Sequence, residues 1–408
     1  MNPRIFFFAL FPATLLFLLP LSVLAGPGEQ TRTVASQPSW IVATPQVELF
    51  LTRLGGHMAP VTFYRDSAQP VQPYHISPWQ GEKHDYPVPA LVPLRGDFFC
   101  LPLGSNGEVV NGEKHPPHGE TAGSPWSHVA TKKSGDVTTL TVTLETKVRP
   151  GKVTKELSLV DGQNVVYSCD LIEGFAGKTP LGHHAILAMP EKEGAFRIAT
   201  SPFKFGMVAP SLFSDPKQAE YQALQVGARF TDLHKVPLAW KGAPDADLAS
   251  LPARKGYADL FLLVNEPTGP AWVTATRGDE GWVWFAMKDP AVLTGTLFWL
   301  ENHGRHGLPW LGRNNCVGIE DITGHWSDGL AASIAPNVLT KEGIATTIEL
   351  SASRPTAVNY IQGVVRVPAG FVEVKTLEFA PGQVTFVSTT EQRVTAPVRH
   401  EFLKTGKL

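Results

Sequence analysis

The sequence predicts an all-β protein built as a large antiparallel sandwich. Its 408 residues include 35 Pro and 37 Gly, which divide the chain into short runs rich in Val, Thr, Leu, Phe and Trp. Residues 139–144 alternate strictly between threonines and the apolar Leu140, Val142 and Leu144. That period of two is typical of a half-buried antiparallel strand, and the overall rhythm favours a sandwich over strands that alternate with helices.

Other segments between the Pro and Gly residues are likewise enriched in β-branched and aromatic residues. The predicted strands, in order, cover residues 47–54, 139–144, 165–171, 257–264, 282–287, 346–350 and 372–379. One short helix is expected near Ser214, because Asp215 can cap it and Pro216 suits the first helical position.

The first 25 residues have the layout of a secretory signal peptide. Arg4 provides a charged start, an apolar run follows, and Val23 and Ala25 are small residues at the positions before a cleavage site. We therefore expect export to the periplasm or beyond. The apolar run is about as long as a membrane span, so an uncleaved N-terminal anchor is the alternative.

The rest of the chain divides into three expected parts. Residues 26–44 are polar and aperiodic, which predicts a linker; residues 45–390 form a single β-sandwich domain, and residues 391–408 form a C-terminal tail. We expect no stable membrane insertion once the signal is removed, because no later stretch is apolar enough to span a bilayer.

Charge and cysteine content exclude several classes of function. The formal net charge is −2 and no Arg/Lys-rich stripe occurs, so nucleic acid is not an expected partner. Cys100, Cys169 and Cys316 are too few and too far apart for a disulfide framework or a zinc knuckle, although one bridge could form. The oligomeric state does not follow from the sequence.

Residues 115–126, HPPHGETAGSPW, combine two histidines, a carboxylate and an aromatic in a segment that regular helix or strand cannot accommodate. His115 and His118 with Glu120 could be metal ligands, but the two prolines between the histidines forbid the helix that this spacing would need. A loop that presents His118 and Trp126 to a ligand is the favoured interpretation. Solvated loop histidines are the simpler alternative.

Two further segments each carry a candidate ligand-binding group. In RGDFFCLPLG, residues 95–104, the guanidinium of Arg95 suits paired hydroxyl or carboxylate oxygens, and a surface ion pair with Asp97 is equally consistent with the sequence. In GHHAILAMPE, residues 182–191, strand alternation sends His183 and His184 to opposite faces, so only one can point into a pocket. A hydrogen-bonded core histidine is the alternative for either.

Residues 301–326 are the densest polar stretch in the chain. Val317 to Ile319 form a short apolar strand that delivers Glu320, and burial there would raise the pKa of the carboxyl toward the range of a general base. Trp310 and Arg313 add the aromatic and polar surfaces that suit a sugar ring. The alternative is a structural salt-bridge cluster. Because the sequence has no nucleophile elbow, phosphate-binding loop, dinucleotide fingerprint or H-E-x-x-H motif, acid–base chemistry by His and Glu remains.

Five segments together resemble the aldose 1-epimerases of the galactose mutarotase-like superfamily, especially the hexose-phosphate mutarotase-like proteins. HGETAGSPW is similar to their His-Gly motif, and the others match in order and approximate spacing. These others are VELFLTRLGGHMAPVTFY at 47–64, RGDFFCLPLG at 95–104, GHHAILAMPE at 182–191 and CVGIEDIT at 316–323. The resemblance covers residues 47–326 and implies a large antiparallel β-supersandwich.

The same resemblance implies an activity and assigns roles. Glu320 would be the base that takes the anomeric proton and His184 the acid that protonates the ring oxygen. His118 and Arg95 would hold sugar hydroxyls, and Trp126 or Trp310 would stack on the ring. His183 is the alternative to His184 as the histidine that faces the pocket. The expected partner is a monosaccharide or the sugar end of a glycan, and no cofactor or metal is required.

Three functions therefore remain in view. The first is an exported protein that interconverts sugar anomers as an isomerase. The second is a carbohydrate-binding module without catalysis, and the third is a polysaccharide lyase or hydrolase on a related sandwich, because one fold supports many activities.

Overall fold

The computed structural model describes residues 29–408, so the predicted signal peptide lies outside the described residues. Short strands dominate this part of the chain. In chain order they are β1 (Thr31–Val34), β2 (Gln37–Ala43), β3 (Glu48–Thr52), β4 (Met58–Thr62), β5 (Phe99–Cys100), β6 (Ser127–Ser134), β7 (Val137–Thr146), β8 (Gly151–Val160), β9 (Val165–Glu173), β10 (Gly177–Thr179), β11 (Leu181–Ala188), β12 (Phe196–Thr200) and β13 (Phe203–Val208).

The second half of the chain continues in the same way. Its strands are β14 (Arg229–Phe230), β15 (Ser250–Leu251), β16 (Tyr257–Asn265), β17 (Ala271–Arg277), β18 (Trp282–Lys288), β19 (Gly295–Asn302), β20 (Asn315–Thr323), β21 (Ile348–Leu350), β22 (Thr356–Arg366), β23 (Val374–Ala380), β24 (Gln383–Ser388) and β25 (Arg393–Pro397). The short helices are α1 (Gly119–Gly123), α2 (Leu330–Ile334) and α3 (Phe402–Thr405).

Two large antiparallel sheets form the body of the protein. One has seven strands in the order β14-β13-β16-β19-β20-β11-β5, and the other has nine in the order β15-β12-β17-β18-β22-β9-β8-β7-β6. Apolar side chains from both sheets, such as Ile319 and Trp284, pack into one shared core between them. The outer face of the seven-stranded sheet carries a second apolar cluster that includes Ile186, Leu260 and Trp299. The predicted all-β antiparallel supersandwich is confirmed.

The predicted strands are found close to their expected positions because the period-two pattern matches real burial. In β7, for example, Leu140 and Val142 are fully buried while the intervening threonines are more exposed. The expected helix near Ser214 is only a single 3₁₀ turn, Pro216–Gln218. The carboxylate of Asp215 accepts the backbone N–H of Lys217 at 3.0 Å, as a cap should.

The segment that we expected to be a linker, residues 26–44, is largely β-strand. From Thr31 onward it forms β1 and β2, and β2 pairs with β3 in a four-stranded sheet. Trp40 and Val42 of this segment are almost fully buried, and their burial stabilises the pairing of β2 with its neighbours. The polar residues around them are the reason that the sequence did not indicate a strand.

The expected tail is also structured. Strand β25 pairs with β24, and α3 places Phe402 and Leu403 in the core cluster on the outer side of the nine-stranded sheet. Within residues 29–408, no helix is long and apolar enough to cross a membrane. The three cysteines are all free thiols.

Candidate active site

The central feature of the site is a cross-strand pair on the outer face of the seven-stranded sheet. Strands β11 and β20 are hydrogen-bonded neighbours, and their register sets His184 directly opposite Glu320. The Nε2 atom of His184 lies 3.3 Å from Oε1 of Glu320, and both side chains are almost completely buried. An imidazole and a carboxyl this close together are candidates for an acid–base pair.

Burial shifts both groups toward their uncharged forms. It raises the pKa of the Glu320 carboxyl to about 8. Burial also holds the pKa of His184 well below its usual value, and the nearby imidazoles of His118 and His57 lower it further. The His184 ring stacks on Phe98 with ring centroids 4.6 Å apart. Its Nδ1 atom is buried and has no hydrogen-bond partner among the described residues.

His118 lies beside this pair and also lines the cavity. Its ring centroid is 5.4 Å from that of His184, and its Nδ1 atom lies 3.6 Å from the Cys100 sulfur. The pKa of His118 is lowered to about 4 by burial. The following residue must be glycine, because Gly119 has a φ of +77° and a Cβ there would lie 1.9 Å from the Leu101 carbonyl oxygen.

A cavity of about 450 Å³ opens over His118, His184 and Glu320. Its volume lies in the range typical of small-molecule sites, roughly 300–1,000 Å³. Trp299 and Trp310 form one wall, with their ring centroids 5.6 Å apart, and Trp299 also meets the His184 ring edge to face. Of the two tryptophans, the sequence identified Trp310 as a candidate, and the structure places it in the lining.

Several lining residues were missed by the sequence reasoning. Trp299 lies in a strand whose eight residues are all buried, so no alternation distinguishes its two faces. Glu220 and Arg305 come from separate loops, and the Glu220 carboxylate accepts the backbone N–H groups of His306 and Gly307 at 2.9 and 3.2 Å. Arg305 belongs to the polar stretch 301–326 and so carried a weak signal, whereas nothing in the sequence around Glu220 distinguishes it.

Glu301 holds the loop that contains Arg305. Its Oε1 atom accepts the backbone N–H groups of Gly304 and Arg305 at 3.0 Å each. Burial raises the pKa of this carboxyl to about 8, as it does for Glu320. Glu301 does not line the cavity, however, so its role is to fix the shape of the loop.

Arg95, which the resemblance suggests as a sugar ligand, lies outside the cavity lining. The side chain is completely buried away from the cavity, where it donates to the carbonyls of Val34 and Ala35 at 3.0 and 2.8 Å and to that of Pro93 at 3.1 Å. Arg95 therefore fastens the turn after β1 to the sandwich. Two of its partners, Val34 and Ala35, lie in the segment that the sequence suggested was a linker, so this role could not be predicted.

Trp126 and Arg313 also lie outside the cavity lining. Trp126 is buried in the core between the sheets, where its indole N–H donates to the Thr121 carbonyl at 2.9 Å. Arg313 forms an ion pair with Glu82 at 2.6 Å on the partly exposed surface. The structure therefore does not bring either side chain together with His184 and Glu320 in the cavity lining.

His183 points in the opposite direction from His184, into the space between the sheets. Its Nδ1 atom lies 3.0 Å from the Asp97 carboxylate and its Nε2 atom 3.5 Å from that of Asp170, while its ring stacks on Tyr360. The predicted separation of the two histidines onto opposite faces is thus seen in the structure. A direct contact between His183 and a ligand in the cavity is excluded by its position.

The members of the possible metal cluster do not converge. His115 pairs with Glu113 at 3.0 Å, whereas the Glu120 carboxylate accepts the backbone N–H groups of Lys147 and Val148 at 3.0 Å. Over residues 29–408, no group of three or more His, Cys, Asp or Glu side chains has an arrangement that could hold a metal ion.

Comparison with known proteins identifies the fold. No protein-family model matches the chain, and no curated protein sequence matches it. Among solved structures, a galactose mutarotase-like protein from Clostridium acetobutylicum is 12% identical over 83% of this chain and 98% of that protein, with a TM-score of 0.56.

Two further structures give the same result. A candidate aldose 1-epimerase from Klebsiella pneumoniae is 11% identical over 81% of this chain and 80% of its own, with a TM-score of 0.56. A galactose mutarotase-related enzyme from Lactobacillus acidophilus is 12% identical over 81% and 99%, with a TM-score of 0.51. Residues 29–408 therefore have the fold of the aldose 1-epimerase and galactose mutarotase-like proteins.

Proposed function

We propose that this protein interconverts the anomers of a sugar by acid–base catalysis from Glu320 and His184. The observation that carries the proposal is the pair itself, a carboxyl and an imidazole 3.3 Å apart in the wall of a cavity large enough for a monosaccharide. The fold shared with aldose 1-epimerase-like structures supports the same activity.

The pair supplies a proton acceptor and a proton donor without a change in total charge. Burial favours the form in which Glu320 holds the proton and His184 is neutral. Transfer of that proton across the pair gives a carboxylate base and an imidazolium acid. A bound sugar, whose hydroxyl and ring oxygen are polar, stabilises this charged form where an empty apolar cavity does not.

The reaction is then a balanced proton relay. Glu320 accepts the proton of the anomeric hydroxyl while His184 donates one to the ring oxygen, so the bond between C1 and the ring oxygen breaks and an open-chain aldehyde forms. Rotation about the C1–C2 bond presents the other face of the aldehyde, and the reverse transfers close the ring. His118 holds a neighbouring hydroxyl. Paired groups of this kind typically contribute about 10²–10⁴-fold in rate.

Exchange spectroscopy by NMR tests the proposal directly. We expect the protein to accelerate exchange between α and β anomers of at least one sugar in a panel of aldoses, measured against buffer and against bovine serum albumin at equal concentration. A carbohydrate-binding module would bind a sugar without accelerating exchange, and a lyase or hydrolase would release new reducing ends from a polysaccharide. No acceleration for any sugar would contradict the isomerase function.

We also propose that the protein acts outside the cytoplasm. The support is the composition of residues 1–25, with its charged start, apolar run and small residues up to Ala25. Mass spectrometry of the protein purified from its own cells is expected to show a chain that begins at Gly26. A mass that includes the first 25 residues would favour the anchored alternative.

A further inference from the structure

Three polar residues of the cavity lining lie close together, at what we call its floor. They are His184, Glu320 and His118. The Trp299 ring lies next to the His184 ring, with the two centroids 6.0 Å apart. The indole N–H of Trp299 is buried and has no hydrogen-bond partner among the described residues. A buried donor without a partner is costly, and a ligand hydroxyl at this point would satisfy it. The floor therefore suits a sugar ring.

Beyond Trp299 most of the lining is apolar, although Ser105, Gln218, Glu220, Arg305 and Ser327 also belong to it. Trp310 continues the aromatic wall, and the side chains of Leu91, Leu94 and Leu260 complete it. At the rim, Leu308 lines the cavity with 62% of its surface exposed to solvent. The apolar side chains offer sugar hydroxyls no hydrogen-bond partner, so this part of the lining suits an apolar group.

The charges that line the cavity favour an uncharged ligand. Among the described residues of the lining, Arg305 is the only Lys or Arg, and its Nε atom lies 3.7 Å from the Glu220 carboxylate. The Arg305 guanidinium also lies over the Trp310 ring at 5.0 Å. A sugar phosphate or a uronic acid would therefore meet a single cation that already has a carboxylate nearby, and burial lowers the pKa of His118 to about 4, so its ring adds no charge at neutral pH.

We propose that the substrate is a neutral sugar with an apolar substituent, such as an acyl, alkyl or aryl group, at the end remote from its anomeric carbon. The reducing end contacts Glu320 and His184, and the substituent lies against Trp310, Leu91 and Leu308. This inference rests on the proposed function for the orientation of the sugar, because catalysis requires the anomeric carbon at the floor.

Calorimetric titration of two ester series tests the apolar subsite. The probes are D-glucose and D-galactose together with their 6-O-acetyl, 6-O-propanoyl and 6-O-butanoyl esters. We expect the affinity in at least one series to rise by about three- to fourfold for each methylene added, the value for moving a methylene out of water. An affinity that stays flat or falls along both series, or no binding of any ester, would overturn the proposal.

The loop at the rim provides a variant with a matched control. Leu308 and Leu311 are both exposed, at 62% and 49%, but only Leu308 lines the cavity. Leu308→Ser is expected to weaken binding of the butanoyl ester about fivefold and to leave the parent hexose unaffected. Leu311→Ser should change neither. Equal effects of the two substitutions would overturn the placement of the substituent at the rim.

The outcomes separate this inference from the proposed function. If affinity rises along a series but the wild-type protein does not accelerate anomer exchange of the esters, the isomerase function fails and the apolar subsite stands. If a parent hexose is isomerised but its esters bind more weakly than the hexose does, the subsite fails and the isomerase function stands.

Discussion

Replacing Glu320 with Gln is expected to lower the rate of anomer exchange by about 10²–10⁴-fold, because the amide cannot accept the proton of the anomeric hydroxyl. Gln has nearly the same shape as Glu and can still receive a hydrogen bond, so affinity for the sugar should change only a few-fold. The measurement is exchange NMR for the rate and calorimetric titration for the affinity, each on the wild type and the variant.

Glu301→Gln is the matched control for this change. Both glutamates are buried, and burial raises the pKa of each to about 8. Glu301, however, accepts hydrogen bonds from the backbone of Gly304 and Arg305 and does not line the cavity. We expect the Glu301 variant to keep most of the exchange activity. If Glu320→Gln retained full activity, or if both variants lost it equally, the assignment of Glu320 as the base would be wrong.

The same pair predicts how activity depends on pH. The reaction needs one proton shared between Glu320 and His184, and the pair loses this proton as the pH rises through about 8. The ratio kcat/KM should therefore fall on the alkaline side, since it reports the ionisation of the free enzyme. A profile that stays flat from about pH 6 to about pH 9 would contradict this assignment.

Replacing Lys288 with Met is expected to destabilise the fold by about 3–5 kcal/mol. The Nζ atom of Lys288 lies 2.6 Å from Oδ1 of Asp321, and each side chain is only 1% exposed. Thr296 and Tyr360 donate further hydrogen bonds to the same carboxylate, at 2.7 and 2.8 Å. Loss of the ammonium would leave a carboxylate between the sheets without a counter-ion. Urea denaturation at neutral pH measures the change in the free energy of unfolding.

Lys133→Met is the comparison for this prediction. Lys133 and Asp161 form an ion pair with the same 2.6 Å separation, but their side chains are 46% and 35% exposed. Water screens such a pair, so we expect a loss within about 1 kcal/mol. Equal losses in the two variants would show that burial does not determine the contribution of the Lys288 pair.

The sequence was most informative where one face of a strand is buried and the other is not. The alternation of residues 139–144 predicted β7, and the apolar run before Glu320 predicted part of β20. The same alternation rule assigned His183 and His184 to opposite faces of one strand. The resemblance to a family then favoured His184, the histidine that the structure places opposite Glu320.

The sequence was least informative where a side chain binds partners that are distant in the chain. Arg95 has the right chemistry for a ligand, yet its partners are the carbonyls of Val34 and Ala35, which lie 61 and 60 positions earlier in the chain. Trp126 has the right chemistry for stacking on a sugar and is buried in the core instead. Residue type describes what a group can bind, and only the packed chain determines what lies beside it.

The sequence by itself determined the all-β class and the strand segments, and it supplied the His and Glu candidates for the site, because alternation and residue type are local properties. Tertiary structure alone decided which of these groups share a cavity. Pairing of β11 with β20 brings together His184 and Glu320, which are 136 positions apart in the chain numbering (320 − 184). The same packing added Trp299 to the cavity and removed Arg95, Trp126, Arg313 and His183 from it, since burial and hydrogen-bond partners depend on contacts between distant segments.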